Sequence, residues 1–279
     1  MNPIEDYRAF YANFIVKSAG STDERLIAAF TSVRREDYVG PGPWSVYVGS
    51  GDYLKTISDD PRLLYQDILI GLAIDRGINN GQPSLHAACL VACDPRSSDT
   101  ITHIGCGSGY YTAVLAELVG NTGYITAFEI ESDLADRACS NLRHLPRVVV
   151  LGVSATDRPL PKSDVIYVNA GATHPLDVWL DALKLQGRLI FPLTTDKGFG
   201  CMLLITRISE AKYTAKALFR AGFIPCVGAR DSATSDSIIA ALEKQSLTSV
   251  RSLRRNSAPD ATVWCASSGW WLSSADEFD

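Results

Sequence analysis

Apolar positions in the first part of the chain recur at helical spacing. Tyr7, Phe10, Tyr11, Phe14 and Ile15 predict an N-terminal helix with one face laid on the body of the protein. Ser21-Thr22-Asp23-Glu24 has the form of a capping box, in which Ser21 and Glu24 satisfy free amides ahead of a second apolar stripe, Leu26, Ile27, Phe30 and Val33. Val39-Gly40-Pro41-Gly42-Pro43 ends helix formation. From Trp44 to about Asp60 the pattern loses its period, which predicts a long connection covering a cleft. Asn79-Asn80-Gly81-Gln82 forms a turn before Pro83, a favoured first helical residue, and the helix runs on through Leu85, Ala88, Cys89 and Ala92.

The middle of the chain alternates strand-like and helix-like segments with short joins, as repeated β-α units do. Strands are predicted over 100–104, 124–129, 147–153, 164–169 and 188–192. Helices are predicted over 110–119, closed by Gly120, over 133–142 after a Ser132 cap, and over 175–183. The run Val148-Val149-Val150-Leu151 predicts burial on both faces and hence a parallel sheet wrapped by helices. Further strands, antiparallel at the sheet edge, are expected at Cys201–Ile205 and from Ala215 to Ile224. In the tail, Ile238, Ile239 and Leu242 suggest a helix and Thr262-Val263-Trp264 a short strand, while Arg251, Arg254 and Arg255 form a small basic cluster expected on a solvated surface.

Composition narrows the function. With 46% apolar and 20% charged residues the chain is globular rather than disordered or collagen-like. A net charge of -5 speaks against nucleic acid as the main partner, because phosphate binding draws on surplus Lys and Arg. The acidic opening Met1-Asn2-Pro3-Ile4-Glu5-Asp6 and the absence of a long apolar run predict a cytoplasmic protein without a membrane span. The seven cysteines are odd in number, form no C-x-x-C pair and sit in apolar surroundings, so they read as reduced core residues. His86, Cys89 and Cys93 share a helical face, but no fourth ligand lies near, and no metal is expected.

The strongest signal is His103-Ile104-Gly105-Cys106-Gly107-Ser108-Gly109-Tyr110, a strand running into a glycine turn and then a helix. A dinucleotide fingerprint would be G-x-G-x-x-G, and Tyr110 stands where its third glycine should be, its side chain set to obstruct close helix-to-sheet packing. The G-x-G-x-G form instead suits nucleoside ligands without a pyrophosphate, S-adenosylmethionine foremost. Glu129, closing the next strand, is placed to accept hydrogen bonds from both ribose hydroxyls.

With these features the chain resembles the protein-L-isoaspartate O-methyltransferase family. Arg34-Arg35-Glu36-Asp37-Tyr38-Val39 is similar to its Pro-Arg-Glu segment, Tyr65-Gln66-Asp67 to its Tyr-x-Asp, and Gly81-Gln82-Pro83 with His86-Ala87 to its active-site Ser-x-Pro segment. The segments 164–172 and 187–192 resemble its later motifs, so the likeness spans about Thr22 to Pro225. It implies an α/β, Rossmann-like, doubly wound class I methyltransferase sheet with N-terminal helices and a C-terminal extension. The parts would be an acceptor-side cap at 1–98, a cofactor-binding core at 99–230 and the extension at 231–279.

The implied cofactor is S-adenosyl-L-methionine, held by Ile104, Gly105, Cys106, Gly107, Ser108, Gly109, Tyr110, Glu129, Ile130, Ser154 and Asn169. The implied catalytic positions are Asn80, Gly81, Gln82 and His86, facing a peptide or small-molecule carboxylate. Two departures stand out. Gly81 replaces a serine that helps seat the substrate carboxylate, and Gly152-Val153-Ser154 replaces a Gly-Asp-Gly near the adenine, with Asp157 a candidate substitute. An ionised carboxylate acceptor needs no general base, whereas an amine or hydroxyl acceptor would make His86 the first candidate base. A non-catalytic S-adenosylmethionine-binding partner protein is the alternative that the lost serine raises, and Tyr110 disfavours a nicotinamide oxidoreductase.

Overall fold

The computed structural model describes residues 3–276. In chain order its elements are α1 (Pro3–Ser18), α2 (Glu24–Ser32), β1 (Ser45–Gly49), β2 (Asp52–Lys55), β3 (Gly71–Ala73), β4 (Ile78–Asn79), α3 (Pro83–Cys93), β5 (Thr100–Ile104), α4 (Tyr110–Val119), β6 (Tyr124–Phe128), α5 (Ser132–Leu142) and β7 (Val148–Leu151). They continue as β8 (Ser163–Val168), α6 (Asp177–Ala182), β9 (Leu183–Thr194), β10 (Phe199–Arg207), β11 (Tyr213–Gly222), α7 (Ser232–Lys244), β12 (Ser252–Arg255), β13 (Val263–Ser267) and β14 (Trp270–Ser273). The chain forms two compact units, Met1–Asp99 with Cys106–Val153, and Thr100–Gly105 with Ser154–Asp279. Among the described residues no helix is long and apolar enough to cross a membrane.

In the first unit, α1 buries Tyr11, Ala12, Ile15 and Val16, but Phe10 is 72% exposed, because the aromatic stripe is wider than the face that packs. The cap of α2 is Asp23, whose side chain accepts from the Arg25 amide, rather than Ser21. The Ser21 hydroxyl accepts instead from the Asp23 amide one step earlier. The segment 44–60 is not an aperiodic connection. It holds an antiparallel hairpin, β1 on β2, turned through Ser50 and Gly51 at φ 54° and 87° and braced by Tyr47 against Tyr53. A small core of Val39, Trp44, Leu64 and Ile70 lies beside it. Strands β6 and β7 pair in parallel, yet β7 alternates between half-buried and exposed positions, with Val149 exposed. Its apolar run marks a strand paired on one side only, not one buried on both faces. The residue before α5 is Glu131, and Ser132 begins the helix without capping it. Cys139 is exposed, unlike the other six cysteines, which are buried as expected.

In the second unit the strand order is β13-β14-β12-β11-β10-β9-β8-β5. Strands β5, β8 and β9 run parallel, and β9, β10 and β11 are antiparallel as the sequence predicted, but β10 and β11 do not form the sheet edge, because β12, β14 and β13 pair beyond them. The helix expected over 175–183 is only α6, because Leu183 already begins the long strand β9. The fully buried Trp179 packs edge-on against Phe191 at 6.0 Å, and its indole donates to the Ala155 carbonyl at 2.9 Å. The tail holds three strands where one was legible: β12 is short and mostly polar, and β14, though apolar at Trp270-Trp271-Leu272, is only 4 residues long. Arg255 is not a solvated surface residue. Its guanidinium donates to Asp177 at 2.6 Å and Asp181 at 2.8 Å, and it lies over the Tyr213 ring.

Gly200 illustrates how closely these antiparallel strands approach. A Cβ added there would sit 1.9 Å from the Leu193 carbonyl oxygen on the paired strand, where backbone has nowhere to move. Gly200→Ala is expected to destabilise the protein by about 2–3 kcal/mol in urea unfolding, near the upper end for overpacking, and an unchanged midpoint would contradict this geometry.

Candidate cofactor and acceptor site

The glycine turn follows β5 because three backbone positions need the left-handed region: Gly105, Gly107 and Gly109 have φ of 74°, 55° and 97°. The demands differ. A Cβ on Gly105 would meet Asn169 only at ordinary contact distance, whereas one on Gly109 would come within 2.8 Å of the Leu142 side chain of α5. Gly109 therefore permits close packing of α4 on α5 as well as the turn. Gly109 donates back to the Cys106 carbonyl at 2.9 Å, and the Cys106 amide donates to Phe128, which ties the turn to β6.

Glu129, the residue after β6, is buried and joins this turn directly. Its Oε2 accepts from the Gly107 amide at 2.7 Å and its Oε1 from the Glu131 amide at 3.0 Å. Burial pushes its carboxyl above the ordinary glutamate range, against the opposing pull of these backbone donors. Ile130 is 46% exposed, an apolar side chain left open beside a buried acid. Ser108 is buried, and its carbonyl accepts from Asn141. Cys106 is buried too, and its thiol is pushed up chiefly by burial and further by Glu129, so it is no nucleophile.

Tyr110 does not obstruct packing. It is buried edge-on to Tyr38 and Tyr111, its hydroxyl lies 3.4 Å from that of Tyr11, and Arg35 sits over its ring. In the second unit, Asn169 donates its backbone amide to Ile104 and lies with its side-chain nitrogen 2.8 Å from His103 Nε2. Burial pulls His103 down to about 3, so its ring is neutral and Nε2 accepts from the Asn169 amide. Ser154 contacts its neighbour Thr156 and none of the other expected cofactor residues.

The acceptor turn lies within the first unit. Asn79 Oδ1 accepts from the Gly81 amide, and Asn80 pairs with Ile70 twice, its amide donating to the Ile70 carbonyl and its Oδ1 accepting from the Ile70 amide at 2.7 Å. Asn80 Nδ2 is buried without a hydrogen-bond partner. His86 is buried and stacked on Tyr111 with ring centres 3.6 Å apart.

Asp67 is the hub that the sequence reading quoted only as part of a motif. Its carboxylate accepts from Gln82 Nε2 at 2.8 Å, the Ser84 amide at 2.8 Å and the Ser84 hydroxyl at 2.6 Å. Arg35 is equally central. It is fully buried and donates to the carbonyls of Leu64, Gln66 and Ile68, the backbone on either side of Asp67. Among the described residues no group of three His, Cys, Asp or Glu could hold a metal.

Comparison with known proteins places this geometry. Two solved structures share the fold: a protein-L-isoaspartate O-methyltransferase, at TM-score 0.66 and 21% identity, covering 84% of this chain and 69% of that one, and a Plasmodium falciparum chain described under the same name in complex with S-adenosyl-L-homocysteine, at TM-score 0.64 and 18% identity, covering 79% and 98%. The fold is therefore the α/β class I methyltransferase fold, and the family profile and the curated relatives make the chain an S-adenosylmethionine-dependent methyltransferase. The family profile described as Protein-L-isoaspartate(D-aspartate) O-methyltransferase matches residues 14–231. A Rhodopseudomonas palustris protein-L-isoaspartate O-methyltransferase is 30% identical over 219 residues, 77% of this chain and 90% of that protein. One from Ignicoccus hospitalis is 31% identical over 160 residues, 56% of this chain and 75% of that protein. The chain belongs to the protein-L-isoaspartate O-methyltransferase family.

The three hydrogen bonds on Asp67 hold the start of α3 and the turn before it. Asp67→Ala is expected to lower stability by about 2 kcal/mol, the scale of hydrogen bonds to a charged group, in thermal or urea unfolding. A change within about 0.5 kcal/mol would mean that the turn holds itself.

Proposed function

We propose that the enzyme methylates a carboxylate of an isoaspartyl peptide, the substrate named for its relatives, at the turn Asn79–Pro83. The observation that carries this reading is Asn80 Nδ2, a buried N–H donor without a partner, one residue from Gly81. Leaving such a donor unsatisfied is unfavourable by about 1–3 kcal/mol, and a carboxylate oxygen is the group that relieves it. Asn80 would thus take over the hydrogen bond lost with the family serine. Gln82 and His86 flank the turn, the first held by Asp67 and the second by Tyr111.

The residues of the glycine turn suit the cofactor. Gly107 and Glu129 lie together, and each carboxylate oxygen keeps a lone pair free for a ribose hydroxyl beside its backbone bond. Ile130 offers an apolar surface to the adenine, and the amides opening α4 point toward the aminoacyl end. Cys106, Ser108, Gly109 and Tyr110 shape the turn in the first unit; Ile104, Gly105, Ser154 and Asn169 belong to the second unit. When bound, S-adenosylmethionine supplies an activated methyl group.

What the chain itself supplies is alignment and exclusion of water. The acceptor carboxyl, with an ordinary pKa of about 4, is already ionised at neutral pH, so no proton must be taken from it. In this division residues 1–98 serve the acceptor, 99–230 the cofactor, and 231–279 extend the second unit.

Incubation with radiolabelled S-adenosylmethionine and an isoaspartyl peptide is expected to yield a base-labile methyl ester. A base-stable product would move the acceptor to nitrogen or an ordinary hydroxyl. The Glu129 assignment has its own test. Glu129→Gln presents an NH2 where an acceptor is needed, and should weaken S-adenosylhomocysteine at least about tenfold by calorimetry. Because the Glu129 carboxyl is raised, cofactor affinity should be full at neutral pH and fall, as pH drops, earlier than an ordinary glutamate would allow. Affinity that is flat into the acidic range would remove the assignment.

A further inference from the structure

We infer that His86 is a positioning residue whose imidazole takes the place of a side chain at position 81 and locks the acceptor turn. This rests on the reading that the turn Asn79–Pro83 seats the acceptor. Gly81 has φ of 75°, and a Cβ built on it would lie 2.2 Å from His86 Nε2 and 2.9 Å from Cδ2. The ring therefore fills the space into which any side chain at 81 would project. A serine and this placement of His86 exclude one another.

The ring is itself fixed. It is 2% exposed and stacks on Tyr111 at 3.6 Å with an interplanar angle of 16°, and the Tyr111 hydroxyl donates to the Gly81 carbonyl at 3.4 Å. His86 and Tyr111 thus press on Gly81 from one side, while Asp67 holds Gln82 and Ser84 just beyond it. Asn80 directly precedes Gly81, its Oδ1 engaged by the Ile70 amide and its Nδ2 buried without a partner. Small displacements of such a donor matter, since an ångström of misplacement can lower turnover about a hundredfold. A proton acceptor is a poor description of a ring so enclosed; support of the turn is what its contacts provide.

Three variants test this, each read by acceptor KM, kcat and cofactor affinity, with thermal unfolding alongside. His86→Ala should raise acceptor KM about tenfold or more, with cofactor affinity unchanged. His86→Gln places an amide nitrogen near the Nε2 position without a usable base, and should recover all but about threefold of that loss; a general base would leave it down by at least about a hundredfold in kcat. Gly81→Ser alone should be damaged by collision with the ring, and adding His86→Ala should improve that chain although it harms the natural one. That reversal of sign is expected in melting temperature as well, which needs no acceptor. Additive effects of the two substitutions, an unchanged acceptor KM in His86→Ala, or a His86→Gln enzyme as slow in kcat as a base-less one would overturn the inference. A natural enzyme that makes no carboxyl ester would instead sink the acceptor reading, leaving the melting reversal to judge the packing of His86 against Gly81.

Discussion

The glycine turn depends on one carboxylate. Glu129 accepts from the Gly107 amide with one oxygen and from the Glu131 amide with the other, so a single side chain fixes both the turn that opens α4 and the approach to α5. Burial makes the charged form expensive, and the two amides offset only part of that, which is why the group sits above its ordinary range. The neighbouring acids make the balance harder, because Glu131 raises Glu129 further. Arg76 answers them from the loop between β3 and β4, donating to Glu131 and, at 2.7 and 2.9 Å, to Asp133. The same hairpin brings Leu72 to within contact of Gly107, which a Cβ would meet at 3.3 Å. The segment that leads into the turn 79–83 is thus fastened beside Gly107 and the helix start that follows Glu129.

A second chain of contacts runs from Arg35 to the turn before α3. The buried Arg35 guanidinium is held through its two terminal nitrogens by carbonyls of the 64–68 segment and lies over the faces of Tyr11 at 5.3 Å and Tyr110 at 5.7 Å, while its Nε has no partner among the described residues. By gripping that backbone, Arg35 aims Asp67, and Asp67 in turn holds Gln82 and Ser84. Tyr110 links the two clusters: it opens α4 directly after Gly109 and forms one wall of the Arg35 cage. The side chain that breaks a dinucleotide fingerprint is therefore put to use in packing the buried Arg35.

Much of this was legible before any coordinates. The strand, glycine turn and helix at 100–119 have strong local signals, because positive φ demands glycine and a continuous apolar strand demands burial. Glu129 follows the turn in chain order, and its contact with Gly107 is the part of that expectation the structure shows. What escaped depends on contacts far apart in sequence. The hairpin at 45–55 has no clean alternation, since β1 is half-buried except at the exposed Val48 and β2 is exposed except at Tyr53. Asp67 and Arg35 stood inside quoted motifs, but nothing local says that one carboxylate will span to residues 82 and 84 or that an arginine will be caged by tyrosines. The apolar run of β7 misled for a related reason: β-branched residues favour strands even where one face meets water. Gly81 read as a loss because the ring that occupies its side-chain space lies five residues on and a helix start away.

The C-terminal extension is best understood through the edge of the second unit's sheet. Without it, β11 would present an open row of amides and carbonyls, the kind of edge that invites pairing with another chain. Strand β12 pairs only briefly with β11, at Tyr213 with Leu253 and Thr214 with Ser252, and β14 and β13 then extend the order outward. Helix α7 reaches β13 through the Thr234 and Ser267 hydroxyls, 2.6 Å apart, and through Gln245 to the Val263 carbonyl. Arg255 at the end of β12 reaches back to Asp177 and Asp181 on α6, one turn apart on the same helix. A short pairing that is secured by a forked arginine and a covering helix does structural work on the sheet edge, and none of these residues is shared with the glycine turn or the acceptor turn. The extension buries Trp264, Trp270 and Trp271, and that burial accounts for its apolar content.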